Sequence, residues 1–156
     1  MADEKLLQAQ KMYAQVCAVL DKRDWVYDKD EEKLTLFFSV NGDGLPIPMI
    51  VTVDTERALL QVFSPLSFEI NEKKMAEFAV AVCIVNDGKA DGCFDYDMYK
   101  NRICYRLVAK YEGCRIGDEF IEHMIDWTCT AVDKYSDKFL ALNKGVIDVK
   151  DFIKEE

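Results

Sequence analysis

The sequence predicts an α+β domain in which a five-stranded antiparallel sheet is packed by helices, in the order αβββαββα. Two observations lead to this fold class. Apolar residues recur at helical spacing in three long segments, and they form strand-like runs, most of them alternating with polar residues, in five shorter segments. Strands and helices occur in separate runs, which is typical of α+β domains. The chain of 156 residues fits one domain covering 1–156.

The first half of the chain predicts one helix and three strands joined by short turns. Apolar residues from Leu6 to Leu20 keep helical spacing, so a helix covers about 4–22. The charged run 28–32 is interpreted as a turn, and the strands that follow are centred on residues 34–40, 47–53 and 59–63. Pro46 and Pro48 lack the N–H that a ladder needs, so they lie at the start of the second strand or on an edge of the sheet.

The second half predicts two helices around a β-hairpin. Asn71 is a typical N-cap for a helix over 72–86, and Asp118 is expected to cap a last helix over 119–144. The two strands between these helices cover 91–97 and 102–111.

The register of that hairpin follows from its loop. If residues 98–101 connect the strands, Asp97 faces Arg102 and Asp95 faces Cys104. Aromatic and aliphatic residues then share one face of the hairpin, and charged residues share the other. Such a pattern predicts a sheet that is covered on one side only.

The middle helix has almost no polar stripe, because residues 75–85 are nearly all apolar. A helix that is apolar all round is buried all round. The last helix is also broadly apolar, and one five-stranded sheet covers only one face of each helix. We therefore expect a second copy of the chain to cover the remaining surface in a twofold homodimer.

Composition excludes several classes of partner. The chain has 20 Lys and Arg against 29 Asp and Glu, a net charge of −9, which argues against nucleic acid and against an anionic membrane surface. The longest apolar run, 78–85, is too short to span a membrane. The polar start of the chain shows no signal peptide, and the six cysteines are scattered singly, so we expect a cytoplasmic protein with reduced thiols.

No catalytic or metal-binding constellation is recognisable, so we expect no enzyme activity, no cofactor and no metal. His123 is the only histidine and is expected to be structural or exposed. The segment from Asp95 to Asn101 resembles a calcium loop only superficially, since Arg106 occupies the position of the strongest ligand. The acid pair Asp133 and Asp137 is interpreted as part of a solvated helix face.

The order of several weak motifs resembles the YbjN family, whose fold is similar to that of class I type III secretion chaperones. The motifs are the opening helix with Trp25, the run 45–48 leading into a strand, the apolar helix ending at Asn86, the segments 92–97 and 103–106, and the final helix closing at Gly145. The resemblance implies a single YbjN-like αβββαββα domain, usually dimeric, without established enzymatic activity. The resemblance implies a regulator or chaperone-like protein, and it provides no catalytic residues.

The leading hypothesis is a non-enzymatic protein-interaction domain, a homodimer that binds a client or regulatory polypeptide through an apolar groove or a free sheet edge. The strand that starts at Pro46 is the candidate edge. The candidate contact residues are Ile47, Met49, Phe63, Leu66, Phe68, Phe78 and Val82.

Two alternatives stay open. One is a sensory or small-ligand module, which would require a closed cavity lined by convergent polar groups. The other is a thiol enzyme, which would require an exposed cysteine in an electropositive setting, or a pair of His123 with Cys114 or Cys129.

Overall fold

The computed structural model describes residues 1–153, which form three helices and six strands with two short 3₁₀ turns. In chain order these are α1 (Ala2–Lys22), β1 (Asp28–Asp30), β2 (Thr35–Asn41), β3 (Pro46–Asp54), β4 (Leu59–Pro65), a 3₁₀ turn (Glu72–Lys74), α2 (Met75–Asn86), β5 (Cys93–Asp97), β6 (Arg102–Lys110), α3 (Asp118–Asn143) and a 3₁₀ turn (Val149–Phe152). The α+β class is confirmed. No helix within 1–153 is long and apolar enough to cross a membrane.

The sheet has six strands in the order β1-β2-β3-β4-β6-β5, and every neighbouring pair is antiparallel. The predicted count of five strands was wrong because β1 lies inside the charged run that we interpreted as a turn. Its three residues pair with Thr35, Leu36 and Phe37 of β2. A short charged segment carries no apolar alternation, and charge is a common means of protecting an edge strand.

The predicted register of the β5–β6 hairpin is confirmed. Asp97 pairs with Arg102 and Asp95 pairs with Cys104. Phe94 and Tyr105 pair on the inner face, where both side chains are buried. This inner face of the whole sheet packs against α1 and α3 and forms the core. No helix among residues 1–153 covers the outer face.

Strand β3 lies between β2 and β4, so its prediction as a sheet edge was wrong. The β3–β4 ladder nevertheless stops at Ile50 opposite Phe63. Continuing the register would place Pro48 opposite Pro65, and neither proline has an N–H to donate. The prolines therefore end one ladder of an interior strand.

The sequence suggested that the middle helix is buried all round, but in the single chain it is buried on one side only. Its buried residues are Phe78, Ala81, Val82 and Val85. The opposite side exposes Ala76, Val80 and Cys83, which we call the α2 stripe, and Val80 is 49% exposed. Asn71 accepts a hydrogen bond from the Lys73 N–H as the predicted N-cap. The prediction of Asp118 as the N-cap of α3 was wrong, because Asp118 is the first residue of the helix and Gly117 precedes it without a side chain to cap it.

Candidate functional site

The seven predicted contact residues divide into two groups. Five lie in the interior of the protomer: Ile47, Met49, Leu66, Phe78 and Val82. Their side chains pack between the sheet and the helices and have little exposed surface. The remaining two are only partly buried, Phe63 on the outer face of the sheet and Phe68 in the segment after β4.

Strand β2 is paired on both sides only along its first half. Strand β1 covers Thr35 to Phe37 and no further. The Val53 N–H donates to the Leu34 C=O at 3.0 Å, which fixes the phase of the β2–β3 ladder. Because successive residues of a strand direct their N–H and C=O to opposite sides, Ser39 and Asn41 direct theirs away from β3. No described residue in 1–153 pairs with these groups.

A cleft lies directly beside this unpaired end. It has a volume of about 350 Å³ and is lined by Asp24, Trp25, Val26, Phe38, Ser39 and Val40, a set that we call the β2 cleft. The rings of Trp25 and Phe38 meet edge to face with centroids 5.6 Å apart. Val26 is 92% exposed. The site thus combines free backbone hydrogen-bonding groups with an apolar wall, and these are the two components that an extended peptide requires.

The wall of the β2 cleft is held by contacts to the helices. Asp24 has a left-handed backbone, with φ of 55°, which turns the chain after α1. The Trp25 N–H donates to the Leu20 C=O at 3.1 Å. The Arg23 guanidinium binds both carboxylate oxygens of Asp126 at 2.7 and 2.8 Å, and it also lies 5.3 Å from the centre of the Trp25 ring. The cleft is therefore preorganised by α1 and α3.

The opposite edge of the sheet is closed at a comparable point. The Asn86 side chain donates to the Phe94 C=O and accepts from the Phe94 N–H, each at 2.8 Å. Both bonds occupy the outward backbone groups of edge strand β5. A peptide cannot add to β5 at Phe94 without displacing Asn86.

A small-ligand module requires a closed pocket, whereas the cavity with the best-defined lining among residues 1–153 is open. The cavity between α1 and the loop before α3 has a volume of about 550 Å³ and is open to solvent. Its lining includes two cations, Lys11 and Arg115, and the amides of Gln8 and Gln15.

Four of the thiol groups are partly buried, Cys17, Cys93, Cys104 and Cys129. Burial raises the pKa of Cys104 and of Cys129 to about 11, and it also raises the pKa of Cys17 and Cys93. His123 is exposed, stacks on Trp127 and has its Nε2 3.5 Å from the Asp91 carboxylate. The structure does not bring His123 together with Cys114 or Cys129 in a hydrogen bond among the described residues.

The acidic residues that drew attention in the sequence have structural partners. Asp95 forms an ion pair with Arg106, and Asp97 accepts from the N–H groups of Tyr99 and Lys100. Asp133 accepts from the Asp43 N–H at 2.9 Å and so fastens the β2–β3 turn to α3. Within residues 1–153, no cluster of three or more His, Cys, Asp or Glu side chains is arranged to hold a metal ion.

Comparison with known proteins gives a similarity in fold to a solved structure. No protein-family model and no curated protein matches the sequence. Among solved structures, the chain is similar to one in the crystal structure of the ExsC–ExsE complex, with a TM-score of 0.54 and 11% identity over 81% of this chain and 92% of that one. This similarity supports the chaperone-like α+β fold that the resemblance implied, and it does not show the YbjN family specifically.

Proposed function

We propose that this protein is a non-enzymatic, chaperone-like binding protein that holds an extended segment of a partner polypeptide at the unpaired end of β2. The carrying observation is the pair of outward-directed residues, Ser39 and Asn41, next to the β2 cleft. The similarity to a chain solved as part of the ExsC–ExsE complex supports a protein-binding role. Burial and the raised pKa of Cys129, and the lack of a hydrogen bond between it and the exposed His123 among the described residues, favour this role over a thiol enzyme built on that pair.

The bound segment would continue the line of β1 along β2. Its backbone would exchange hydrogen bonds with Ser39 and Asn41, each contributing roughly 1 kcal/mol net. One of its side chains would insert beside Trp25 and Phe38, where burial of apolar surface contributes about 25 cal/mol per Å². The backbone contacts give affinity for extended chains in general, and the cleft selects an apolar side chain.

The proposal includes a twofold homodimer through the α2 stripe. Ala76, Val80 and Cys83 are small or medium-sized, so two α2 helices can approach closely. A second copy would cover apolar surface that one protomer leaves exposed. Six unpaired cysteines agree with a cytoplasmic location, and we propose membership of the YbjN family on the motifs described above.

The test removes the outward hydrogen-bond donor of β2 and leaves the core in place. Ser39→Pro deletes an N–H that does not bond β3, and Lys29→Pro is the matched control, because Lys29 directs its own N–H to the outer side of β1. Each tagged protein is used to capture partners from native extract, quantified by mass spectrometry. We expect the wild type and Lys29→Pro to retain the same polypeptides and Ser39→Pro to lose them. Equal capture by all three, or no capture by the wild type, would refute the proposal.

A further inference from the structure

A second groove, on the side of the molecule formed by α2 and α3, concentrates positive charge in a chain whose net charge is −9. It has a volume of about 380 Å³ and is lined by Ile84, Val85, Asp87, Lys134, Tyr135, Lys138, Phe152 and Ile153. Lys89 reaches the same place from the loop after α2, since its ammonium group lies over the Tyr135 ring. We call this set, with Lys89, the lysine groove.

Aromatic rings hold the ammonium groups at the groove. Lys89 Nζ lies 4.7 Å from the centre of the Tyr135 ring, and Lys134 Nζ lies 5.1 Å from the same centre. Lys138 Nζ lies 4.8 Å from the centre of the Phe152 ring. Such cation–π contacts position a charge without neutralising it.

Two of these ammonium groups have no carboxylate partner in the protomer. Within the described residues 1–153, neither Lys89 nor Lys134 forms an ion pair. Burial lowers the pKa of Lys89, and the nearby charge of Lys134 lowers it further. A carboxylate placed between the two would offset both the lost solvation and the mutual repulsion.

The charged rim surrounds an apolar floor. Ile84 and Phe152 pack against the core, and Ile153 is 62% exposed at the open end. Among the described residues, Asp87 is the one acidic residue in the lining, and Asp151 lies in the adjacent 3₁₀ turn. Within residues 1–153, positive charge therefore exceeds negative charge around an apolar floor, the reverse of the balance over the whole chain.

We propose that the lysine groove binds an acidic segment of a partner polypeptide in which a Glu or Asp carboxylate lies between Lys89 and Lys134 and a neighbouring aliphatic side chain packs on Ile84 and Phe152. This inference rests on the proposed protein-binding function and specifies the chemistry of the partner. Charge complementarity decides the occupant, because the groove presents Lys89 and Lys134 to an acidic segment in a chain whose net charge of −9 opposes it overall.

The test uses a fluorescein-labelled peptide of alternating Glu and Leu as the probe, with a Lys-and-Leu peptide of the same length as the charge-reversed control. Binding is measured by fluorescence anisotropy. We expect the acidic peptide to bind at least about 10-fold more tightly than the basic one, although the net charge of the protein favours the opposite order. Lys89→Met combined with Lys134→Gln should weaken acidic-peptide binding by about 10-fold or more.

Controls separate this inference from the proposed function. Lys5→Met with Lys144→Gln removes two exposed charges elsewhere and leaves the protein with the same net charge as the groove variant. Equal weakening by both double variants would refute the inference, as would no binding of the acidic peptide. If Ser39→Pro abolishes acidic-peptide binding and the groove variant does not, the peptide binds at β2: the groove is refuted and the proposed function stands. Circular dichroism checks the fold of each variant. If the double variant of the groove unfolds, Lys134→Gln alone replaces it and is also expected to weaken binding of the acidic peptide.

Discussion

Strands β2 and β5 both direct backbone groups outward, and those of Phe94 in β5 are bonded within the described chain, whereas those of Ser39 and Asn41 in β2 are not. At Phe94 the amide of Asn86 supplies one donor and one acceptor, as a neighbouring strand would. At Ser39 and Asn41 the described chain supplies neither. The contrast indicates that one side chain is sufficient to bond the outward groups of an edge residue, and the open end of β2 has no such side chain among the described residues.

The largest expected effect comes from opening the closed edge. Asn86→Ala leaves the Phe94 N–H and C=O without partners in a partly buried position, and the free energy of unfolding should fall by about 2 to 3 kcal/mol. Urea denaturation measures this loss. Asn143 makes a similar pair of bonds, to the Glu69 C=O and the Asn71 N–H, in an exposed place, so Asn143→Ala should cost only about 1 kcal/mol. An equal loss in both variants would contradict the importance of the β5 edge.

The next effect concerns the apolar wall of the open end. Trp25→Ala removes the ring that meets Phe38, and affinity for the captured partner should fall about 10-fold, the loss of about 1.4 kcal/mol of binding free energy. Isothermal titration calorimetry measures it. Trp127→Ala is the matched control, because Trp127 is a partly exposed tryptophan on α3 that does not line the β2 cleft. A larger loss for Trp127→Ala would place the partner elsewhere.

A third prediction concerns the α2 stripe, which lies on the same helix as Asn86. Light scattering of the wild type should give twice 18.0 kDa, and Val80→Asp should give the protomer mass because a buried, unpaired carboxylate opposes association. Val146→Asp, which introduces the same charge at a residue 75% exposed after α3, should stay dimeric. A wild type of protomer mass at micromolar concentration excludes the dimer.

The smallest effect is a pH dependence at β5. The hydrogen bond from Arg106 holds the pKa of Asp95 below its ordinary value. The ion pair therefore adds stability above the ordinary Asp pKa, and that contribution is lost as pH falls through the lowered value. The pair is exposed, so its contribution is small. Asp95→Asn should lower Tm slightly at pH 7 and not at all below the lowered pKa, and Arg106→Gln should behave in the same way. A Tm difference that grows in acid would contradict this assignment.

Elements with a strong apolar period were predictable, and small features that depend on tertiary contacts were not. The period of α1 and the alternation in β6 follow from residues that face one core. Strand β1 has no apolar residue, so only its position beside β2 makes it a strand. The middle helix appeared fully buried because composition does not tell which of several apolar faces meets the sheet.

The sequence predicted a protein-binding site, but the contact residues that it suggested are not those of the β2 cleft. Apolar β3 residues such as Ile47 and Met49 were chosen as contacts, but alternation alone does not distinguish a core face from a binding face. The unpaired end of β2 depends on where β1 stops, and the lysine groove depends on residues 84–89 meeting residues 134–138 across two helices. The spacing of residues along the chain predicts neither the end of β1 nor the contact between these two helices.

The facing prolines of β3 and β4 also have a dynamic consequence. Beyond Ile50 and Phe63 the sheet divides into two leaves, β2-β3 and β4-β6-β5, with no backbone pairing between them among the described residues. The tip of the β2–β3 hairpin is then tied to the rest of the protein by the bond from Asp43 to Asp133. Amide hydrogens at that tip should exchange with solvent faster than those of β4. The open end of β2 lies in this leaf, which can open locally while the core stays folded.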